Sequence, residues 1–247
     1  MLRKLLNQFE TVSLNELNVR APLLNRKDMK FVFSCNQLEQ VLQDCEDKYY
    51  VLTINDNTIF NYRTWYYDTA GLLFYHQHHT GKTNRCKIRR RLYVNSNQSF
   101  IEVKHRTNKD KTIKYRYESG SLDGAQLFIR QYSGYDSAGL TEAIEINYSR
   151  ITLLHKTKPE KVTFDINLSY KQNKCISGFN NIVIAEVKTE RCATTFFIKI
   201  MKKNSIRQNS FSKYCLGLIS INSQIKHNNF KQLYNKILKI NRHGIFF

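Results

Sequence analysis

The nine residues Arg85-Cys-Lys-Ile-Arg-Arg-Arg-Leu-Tyr93 constrain this chain more than any other stretch. Extended, they project Arg85, Lys87, Arg89 and Arg91 to one side, because side chains of a strand alternate between its faces. Like charges then recur about every 7 Å along one face, and a phosphate chain, a nucleic-acid backbone or open water must lie against them. The whole chain shares the bias. Its 39 Lys and Arg against 20 Asp and Glu give a net charge of +19, which calls for a polyanionic partner.

With 247 residues, 41% of them hydrophobic, and 15 Phe and 15 Tyr, the chain has ample material for a core. Two prolines, nine glycines and no Ser- or Gly-rich linker favour one main domain. The six cysteines (Cys35, Cys45, Cys86, Cys175, Cys192, Cys215) form no CxxC pair, so reduced and mostly buried thiols are expected. The N-terminus lacks the apolar run of a signal peptide, and no stretch of about 18 apolar residues occurs. A soluble, cytoplasmic protein is expected.

Along the chain, Leu2, Leu5, Leu6 and Phe9 have helical spacing and predict a helix from Leu2 to about Leu17. Arg26 to Ser34 alternates as a strand, and a helix over Gln37 to Leu42 follows, capped by Ser34 or Asn36. Residues 49 to 69 read as two strands around an Asp56-Asn57 turn. His76, His78 and His79 have no carboxylate or thiol within their segment to complete a metal site, and read as a polar strand end. The arginine pattern recurs in Phe100 to Arg106, where Glu102, Lys104 and Arg106 oppose Ile101 and Val103, and in Thr112 to Tyr117, where Lys114 and Arg116 share a side. A loop-like stretch from Glu118 to Leu140, with a short helix around Ala125 to Tyr132, precedes strands at Ala143 to Leu154 and Lys161 to Leu168. Ile182 to Thr189 is apolar on both faces except for Glu186 and Lys188, which places it inside a sheet. A helix over about Asn229 to Lys239 is expected near the end, with Phe230, Leu233, Tyr234, Ile237 and Leu238 as its stripe.

Strands with one basic and one apolar face, joined by short turns, imply an antiparallel sheet or barrel. Their basic faces must meet in a wet, salt-bridged interior that holds an anion, since uncompensated buried charges cost several kcal/mol each. Glu102, Asp165 and Glu186 can pair those cations, or hold a divalent metal once phosphate is bound. Glu186, set among apolar residues, demands a partner most of all.

In order along the chain stand Arg-Lys-Asp-Met-Lys-Phe (26 to 31), Tyr-Tyr-Asp-Thr (66 to 69), the arginine strand, Glu-Val-Lys (102 to 104), Lys-Tyr-Arg (114 to 116), Tyr-Ser-Arg (148 to 150), Thr-Phe-Asp (163 to 165), Glu-Val-Lys (186 to 188) and Ser-Phe-Ser-Lys-Tyr (210 to 214). Together, from about Arg26 to Gly217, they resemble the catalytic domain of the vacuolar transporter chaperone family, polyphosphate polymerases of the CYTH-like triphosphate tunnel metalloenzyme superfamily. The resemblance implies an α+β, mainly antiparallel fold, a closed eight-stranded β-tunnel with flanking helices. It would be divided into an N-terminal helix (1–22), the tunnel domain (23–220) and a C-terminal helix packing on it (221–247). It implies that Lys30, Arg89, Arg91, Lys104, Lys114, Arg150, Lys161 and Lys188 act on phosphate, that Glu186 holds Mn²⁺ or Mg²⁺, and that Arg26, Arg85, Lys87, Arg116, Ser212 and Lys213 bind substrate. Lys161 stands where arginine is expected and Ser210 where the eukaryotic motif has lysine, so bidentate geometry and one phosphate contact are lost.

The activity implied is transfer of the γ-phosphate of ATP to a growing polyphosphate chain, with a membrane protein partner left open. A triphosphatase or polyphosphatase of the same fold is the first alternative. Tunnel triphosphatases usually begin with Glu-x-Glu-x-Lys, whereas this chain has Arg26-Lys-Asp-Met-Lys30. A non-catalytic binder of polyphosphate or nucleic acid is the second. Nucleic acid is disfavoured because Tyr115 falls on the face opposite Lys114 and Arg116.

Overall fold

Alternation has the expected result in the two strands that mattered most: Arg26–Ser34 and Arg85–Tyr93 are each extended over their full length. The computed structural model describes residues 1–22, 26–109, 111–190 and 195–242. In chain order its elements are α1 (Leu2–Leu6), β1 (Thr11–Val12), α2 (Leu14–Arg20), β2 (Arg26–Ser34), α3 (Cys35–Gln43), β3 (Tyr49–Leu52), β4 (Phe60–Asp68), α4 (Leu73–His79), β5 (Arg85–Tyr93) and β6 (Gln98–Arg106). They continue with β7 (Thr112–Glu118), α5 (Gln126–Ser133), β8 (Thr141–His155), β9 (Lys161–Gln172), β10 (Cys175–Phe179), β11 (Ile182–Glu190), α6 (Phe196–Lys203), α7 (Lys213–Ile221) and α8 (Lys231–Arg242).

The strands form one sheet whose main path runs β2-β11-β9-β8-β4-β5-β6-β7. Every pair on that path is antiparallel, and only the short β1 pairs in parallel, with β3. Among the described residues no pairing joins β7 back to β2, so the closed tunnel expected from the sequence is instead an open, curled sheet. The seam explains why. The outer edge of β2 is taken by the segment after α6, where Phe31 bridges Gln208 and the Asn209 amide donates to the Lys30 carbonyl at 2.8 Å. The curl is still deep, since the Lys104 ammonium on β6 acts on the Glu186 carboxylate on β11.

Both faces of the central strands are used. On the convex side, Phe31, Phe33, Ile151, Phe164, Ala185 and Val187 pack under α1, α3 and α6 through Leu6, Leu42, Phe197 and Met201. The convex side of β5 and β6 is covered by α5, where Ile129 meets Ile88, Ile101 and Val103. On the concave side Val32, Ile144, Ile182 and Ile184 make an apolar end, filled by Tyr214, Cys215 and Leu218 of α7 and backed by Ile237 of α8. α7 lies so close that a Cβ on Gly217 would come within 2.4 Å of the Tyr170 ring. The rest of the concave face is polar. β11 therefore lies in the sheet interior as expected, between β2 and β9, and the stripe of the last helix packs on the α7 cluster.

Two further expectations need correction. The first helix is interrupted, because the β-branched pair Thr11-Val12 adds to β3 and Ser13 then starts α2 by accepting from the Glu16 amide at 3.2 Å. The histidine segment is a helix, not a strand end. Its amides find an acceptor in Asp68, whose Oδ1 takes the N–H of Phe74 at 2.9 Å and of Thr69 at 2.8 Å, and whose Oδ2 takes that of Tyr75 at 2.9 Å. On β9, Thr163 and Asp165 are both buried in the concave face, which is where Asp165 was expected to meet the cations. Of the cysteines, Cys45, Cys86 and Cys215 are buried, Cys35 is half-buried and Cys175 exposed, all as free thiols, while Cys192 lies outside the described residues.

Asp68 is fully buried and also accepts from the Tyr214 hydroxyl, which ties α4 to α7. Replacing it with Ala strands three amides and one hydroxyl. Asp68→Ala is expected to lower stability by roughly 3 kcal/mol, measured by urea unfolding, whereas the exposed Asp123→Ala should change it by less than about 0.5 kcal/mol.

Candidate functional site

Cross-strand partners share a face, so the strand registers assemble the concave site row by row. One row reads Tyr66, Arg89, Glu102, Arg116 across β4, β5, β6 and β7. Its neighbours read Lys87, Lys104, Lys114 on one side and Thr64, Arg91, Phe100 on the other, with Arg85 opposite Arg106 one step further out. In the other half Arg150 faces Asp165, while Thr163, Glu186 and Lys30 form a row beside Lys161 and Lys188. The cations expected from the sequence thus converge on one surface. The side chain of Arg26 falls outside the described part of the structure.

Three carboxylates organise these cations. Glu102 is completely buried, and its Oε2 accepts from Arg89 Nε at 2.6 Å. Lys114 pairs with Oε1, and Arg91 Nη1 stands 3.9 Å from Oε2. Burial opposes ionisation, but Arg89, Arg91 and Lys114 outweigh it and hold the Glu102 carboxyl far below the usual range. Asp165 takes a two-pronged bond from Arg150, Nε at 2.6 Å and Nη2 at 2.9 Å, and pairs with Lys213. It is likewise held ionised against its burial by those two cations. Glu186 has Lys188 Nζ at 3.3 Å, and the fields of Lys188, Lys30, Lys104 and Arg150 overcome its burial and keep it charged.

Cations still outnumber these partners. Lys104 has no hydrogen bond or ion pair among the described residues, and the adjacent Arg89 together with burial pushes its ammonium well below the ordinary lysine range. Burial and Arg89 also pull Lys114 down, to about 8, despite Glu102. The Tyr66 phenol, which accepts from Arg89 Nη1 at 2.9 Å, is brought down to about 8 by Arg89, Lys87 and Arg91 against its burial. A surface in which a lysine is pressed toward neutrality and a phenol toward phenolate is short of negative charge.

The remaining expected residues fall at the α7 end. Lys87 Nζ donates to Ser212 Oγ at 3.0 Å, and Lys30 Nζ donates to the Phe211 carbonyl at 2.9 Å. Ser212 Oγ also accepts from the Cys215 amide at 3.3 Å, so this residue caps α7 and is already engaged. Lys213 reaches into the concave face through Asp165. Arg85 donates to the Lys82 carbonyl at 2.6 Å, at the outer end of β5. The histidines diverge: His78 Nδ1 lies 3.1 Å from Cys215 Sγ, and His79 Nε2 accepts from the Asn229 amide at 3.3 Å. Among the described residues no three of His, Cys, Asp and Glu gather as a ready-made metal cage.

Sequence reasoning keyed on charge and so missed neutral members of the surface. Tyr66 is one. Thr163 Oγ1 and the Tyr148 hydroxyl are others, both buried with no hydrogen-bond partner among the described residues. The available signal was the alternation that puts Tyr62, Thr64 and Tyr66 on one face of β4.

The family model of the VTC domain matches residues 25–132 and 123–222. A search of curated proteins finds no match. Solved structures similar to this chain include a candidate adenylate cyclase from Vibrio parahaemolyticus, at 12% identity and TM-score 0.47, covering 76% of this chain and 95% of its own. A candidate adenylate cyclase from Bacillus halodurans is similar at 12% identity and TM-score 0.49, covering 76% of this chain and 96% of its own. HpAC1 from Hippeastrum, a candidate adenylyl cyclase with a dominant triphosphatase activity, has 10% identity and TM-score 0.48, covering 81% of this chain and 99% of its own.

Glu102→Gln leaves Arg89, Arg91 and Lys114 facing one another without a counter-charge. It is expected to cost about 3–5 kcal/mol in denaturant unfolding, and added tripolyphosphate should raise the melting temperature of this variant more than that of the wild type. Lys114 is protonated below about 8 and Tyr66 ionises above about 8, so both remove attraction for anions as pH rises. Tripolyphosphate affinity, followed by calorimetry, should therefore fall between pH 7 and 9, and the Lys114→Arg, Tyr66→Phe double variant should flatten that fall.

Proposed function

The chain belongs to the VTC domain family, and on that footing we propose that it is a phosphotransferase that moves the γ-phosphoryl group of ATP onto a polyphosphate chain held on the concave face. The observation that carries this reading is the three-row field around Glu102 and Lys104, where fixed cations exceed their carboxylate partners. Phosphoryl transfer spreads charge over equatorial oxygens in a loose, in-line transition state, so pre-set cations supply most of the catalysis.

In this reading Arg89, Arg91, Lys104 and Lys114 hold the reacting phosphoryl group, with Arg150 and Lys161 of the facing half, and Lys30 and Lys188, holding the rest of the phosphate chain. Arg85, Lys87, Arg116 and Lys213 flank them. The incoming nucleophile is a terminal phosphate oxygen, already ionised near neutral pH, so no side chain has to be activated. Ile88, Ile101 and the α5 cluster behind the strands fix the cation geometry, because the basic strands have a packed apolar reverse face. Glu186 is a single ionised carboxylate, and that suits a divalent ion which takes its other ligands from substrate oxygens and water. Mn²⁺ or Mg²⁺ bound there would neutralise developing charge on the phosphates. Dependence on ATP makes the cytoplasm the natural location, and a membrane protein would receive any product bound for another compartment.

Hydrolysis is the nearest rival, since water could replace the acceptor on the same surface. Base stacking by a nucleic acid on β7 has little support. Tyr115 stacks on Tyr132 at 4.0 Å and Tyr117 on Phe128 at 5.4 Å, both against α5 on the side away from Lys114.

Purified protein given ATP with Mn²⁺ or Mg²⁺ is expected to yield ADP and long-chain polyphosphate on a gel. Arg89→Ala should lower the rate by at least about 100-fold, and Glu186→Gln should weaken the divalent-ion dependence. Orthophosphate as sole product would favour hydrolysis. No product with any divalent ion would sink the enzyme reading.

A further inference from the structure

The concave face carries a ring wall that phosphate has no use for. Tyr148 and Tyr62 stack with centroids 5.1 Å apart and planes 3° apart, Tyr62 meets Tyr93 at 5.1 Å, and Tyr93 meets Phe100 edge-on at 5.8 Å. All four lie on the same side of the sheet as Arg91, because Tyr148 pairs with Tyr62, Tyr62 with Tyr93, and Phe100 with Arg91. The wall therefore crosses four strands at one end of the basic surface. Lys87, which touches the α7 cap, is six residues from Tyr93 along β5, about 20 Å in an extended strand. The Tyr148 and Tyr62 end of the wall packs on the α7 cluster, with Lys213 Nζ 4.9 Å from the Tyr148 ring centre, and the Tyr93 and Phe100 end extends beyond that cluster.

Its outer part is not explained by packing. Tyr93 and Phe100 are half-buried and belong to none of the apolar clusters formed by the described residues. Among the described residues no helix packs on them, unlike Tyr115 and Tyr117 on the other face. Over them sits Arg116, with its guanidinium carbon 3.3 Å from the Phe100 centroid and 5.3 Å from that of Tyr93. Arg116 is exposed, on the edge strand β7, and has no ion pair among the described residues. Two further cations link the wall to the phosphate field: Arg91 lies 5.5 Å and Arg150 5.2 Å from the Tyr62 ring centre.

We propose that Tyr93, Phe100 and Arg116 form a subsite for the base of a nucleoside triphosphate, with Tyr62, beside Arg91 and Arg150, leading from it into the phosphate field. This rests on the phosphotransferase reading and adds a direction to it. Aromatic faces and a guanidinium plane stack planar bases of any identity, whereas an inorganic phosphate chain offers no π surface to them. Arg116 is the lid: unpaired and at an edge, it can swing to sandwich a base against the rings. The nucleoside end of the donor thus enters at the Tyr93 mouth, and its phosphates point along the surface toward Lys104 and Lys87.

The test compares ATP with inorganic tripolyphosphate on the full chain by calorimetry, using Phe100→Leu, which keeps bulk and loses the π face, and Tyr93→Leu. Each variant is expected to weaken ATP about tenfold, within the range of one base–ring stack, and to leave tripolyphosphate within twofold. GTP should follow ATP, because stacking does not read base identity. Equal loss of ATP and tripolyphosphate, or loss of neither, would overturn the subsite while leaving the phosphate surface standing. A wild type that binds neither ligand would overturn the phosphate reading, and the subsite with it. Unchanged circular dichroism and melting temperature separate these outcomes from misfolding.

Discussion

A strand that stacks four cations on one face can fold only if something negative is built in beside it, and here that is Glu102. It sits on β6 directly opposite Arg89, with Arg116 beyond it on β7, fully buried and bonded by Arg89 and Lys114. A lone buried carboxylate would be costly, and so would the two buried arginines, Arg89 and Arg91, without it. Their combination is tolerable because each supplies the other's missing counter-charge and because Arg89 also spends a donor on Tyr66. Asp165 repeats the device in the other half of the sheet with Arg150 and Lys213. The apolar reverse faces can then be buried under α5 and α6, since the polar faces no longer repel the chain out of its curl.

The same concave face serves two incompatible demands by dividing them along its length. At one end Val32, Ile144, Ile182 and Ile184 accept α7, which gives the domain an interior. Toward the other end the same strands switch to Lys30, Glu186, Arg150 and Asp165. Because side-chain orientation repeats every two residues, a single strand such as β11 can turn from Ile184 to Glu186 without leaving its face. α7 is consequently both part of the core and the floor of the charged region, and its cap residue Ser212 touches Lys87.

What could be read in the sequence was whatever repeats locally. The arginine strand, its two basic neighbours and β2 follow from period-two alternation, and the interior position of β11 from a run apolar on both faces, patterns that are independent of distant residues. α4 was not legible in this way. Its residues Leu73 to His79 have no strong periodicity, and its N-terminal amides are satisfied by Asp68, outside the helix and bonded as well to Tyr214 far along the chain. α7 owes its position to a close fit of Gly217 on Tyr170, a contact no local pattern encodes. Closure of the sheet was misjudged for a related reason: counting strands says nothing about whether the last edge meets the first. Within the site, charged residues were found and neutral ones overlooked, since Tyr66, Thr163 and Tyr148 acquire their meaning only from the cations and carboxylates across the strands.

Lys104 shows how such a surface can be primed for an anion rather than merely attractive to one. Glu102 and Glu186 both favour its charge, yet Arg89 and burial prevail and push it toward neutrality. Desolvation and like-charge repulsion at this ammonium are therefore already present in the unliganded fold. An arriving phosphate oxygen does not need to strip water from it or pull it into place, and the interaction is worth more than the same contact at a solvated lysine. A cation held in that state gains most where negative charge is densest. The middle of the basic surface, flanked by Lys87 and Lys114 in the same cross-strand row, is thus the point at which a transferring phosphoryl group would be stabilised most.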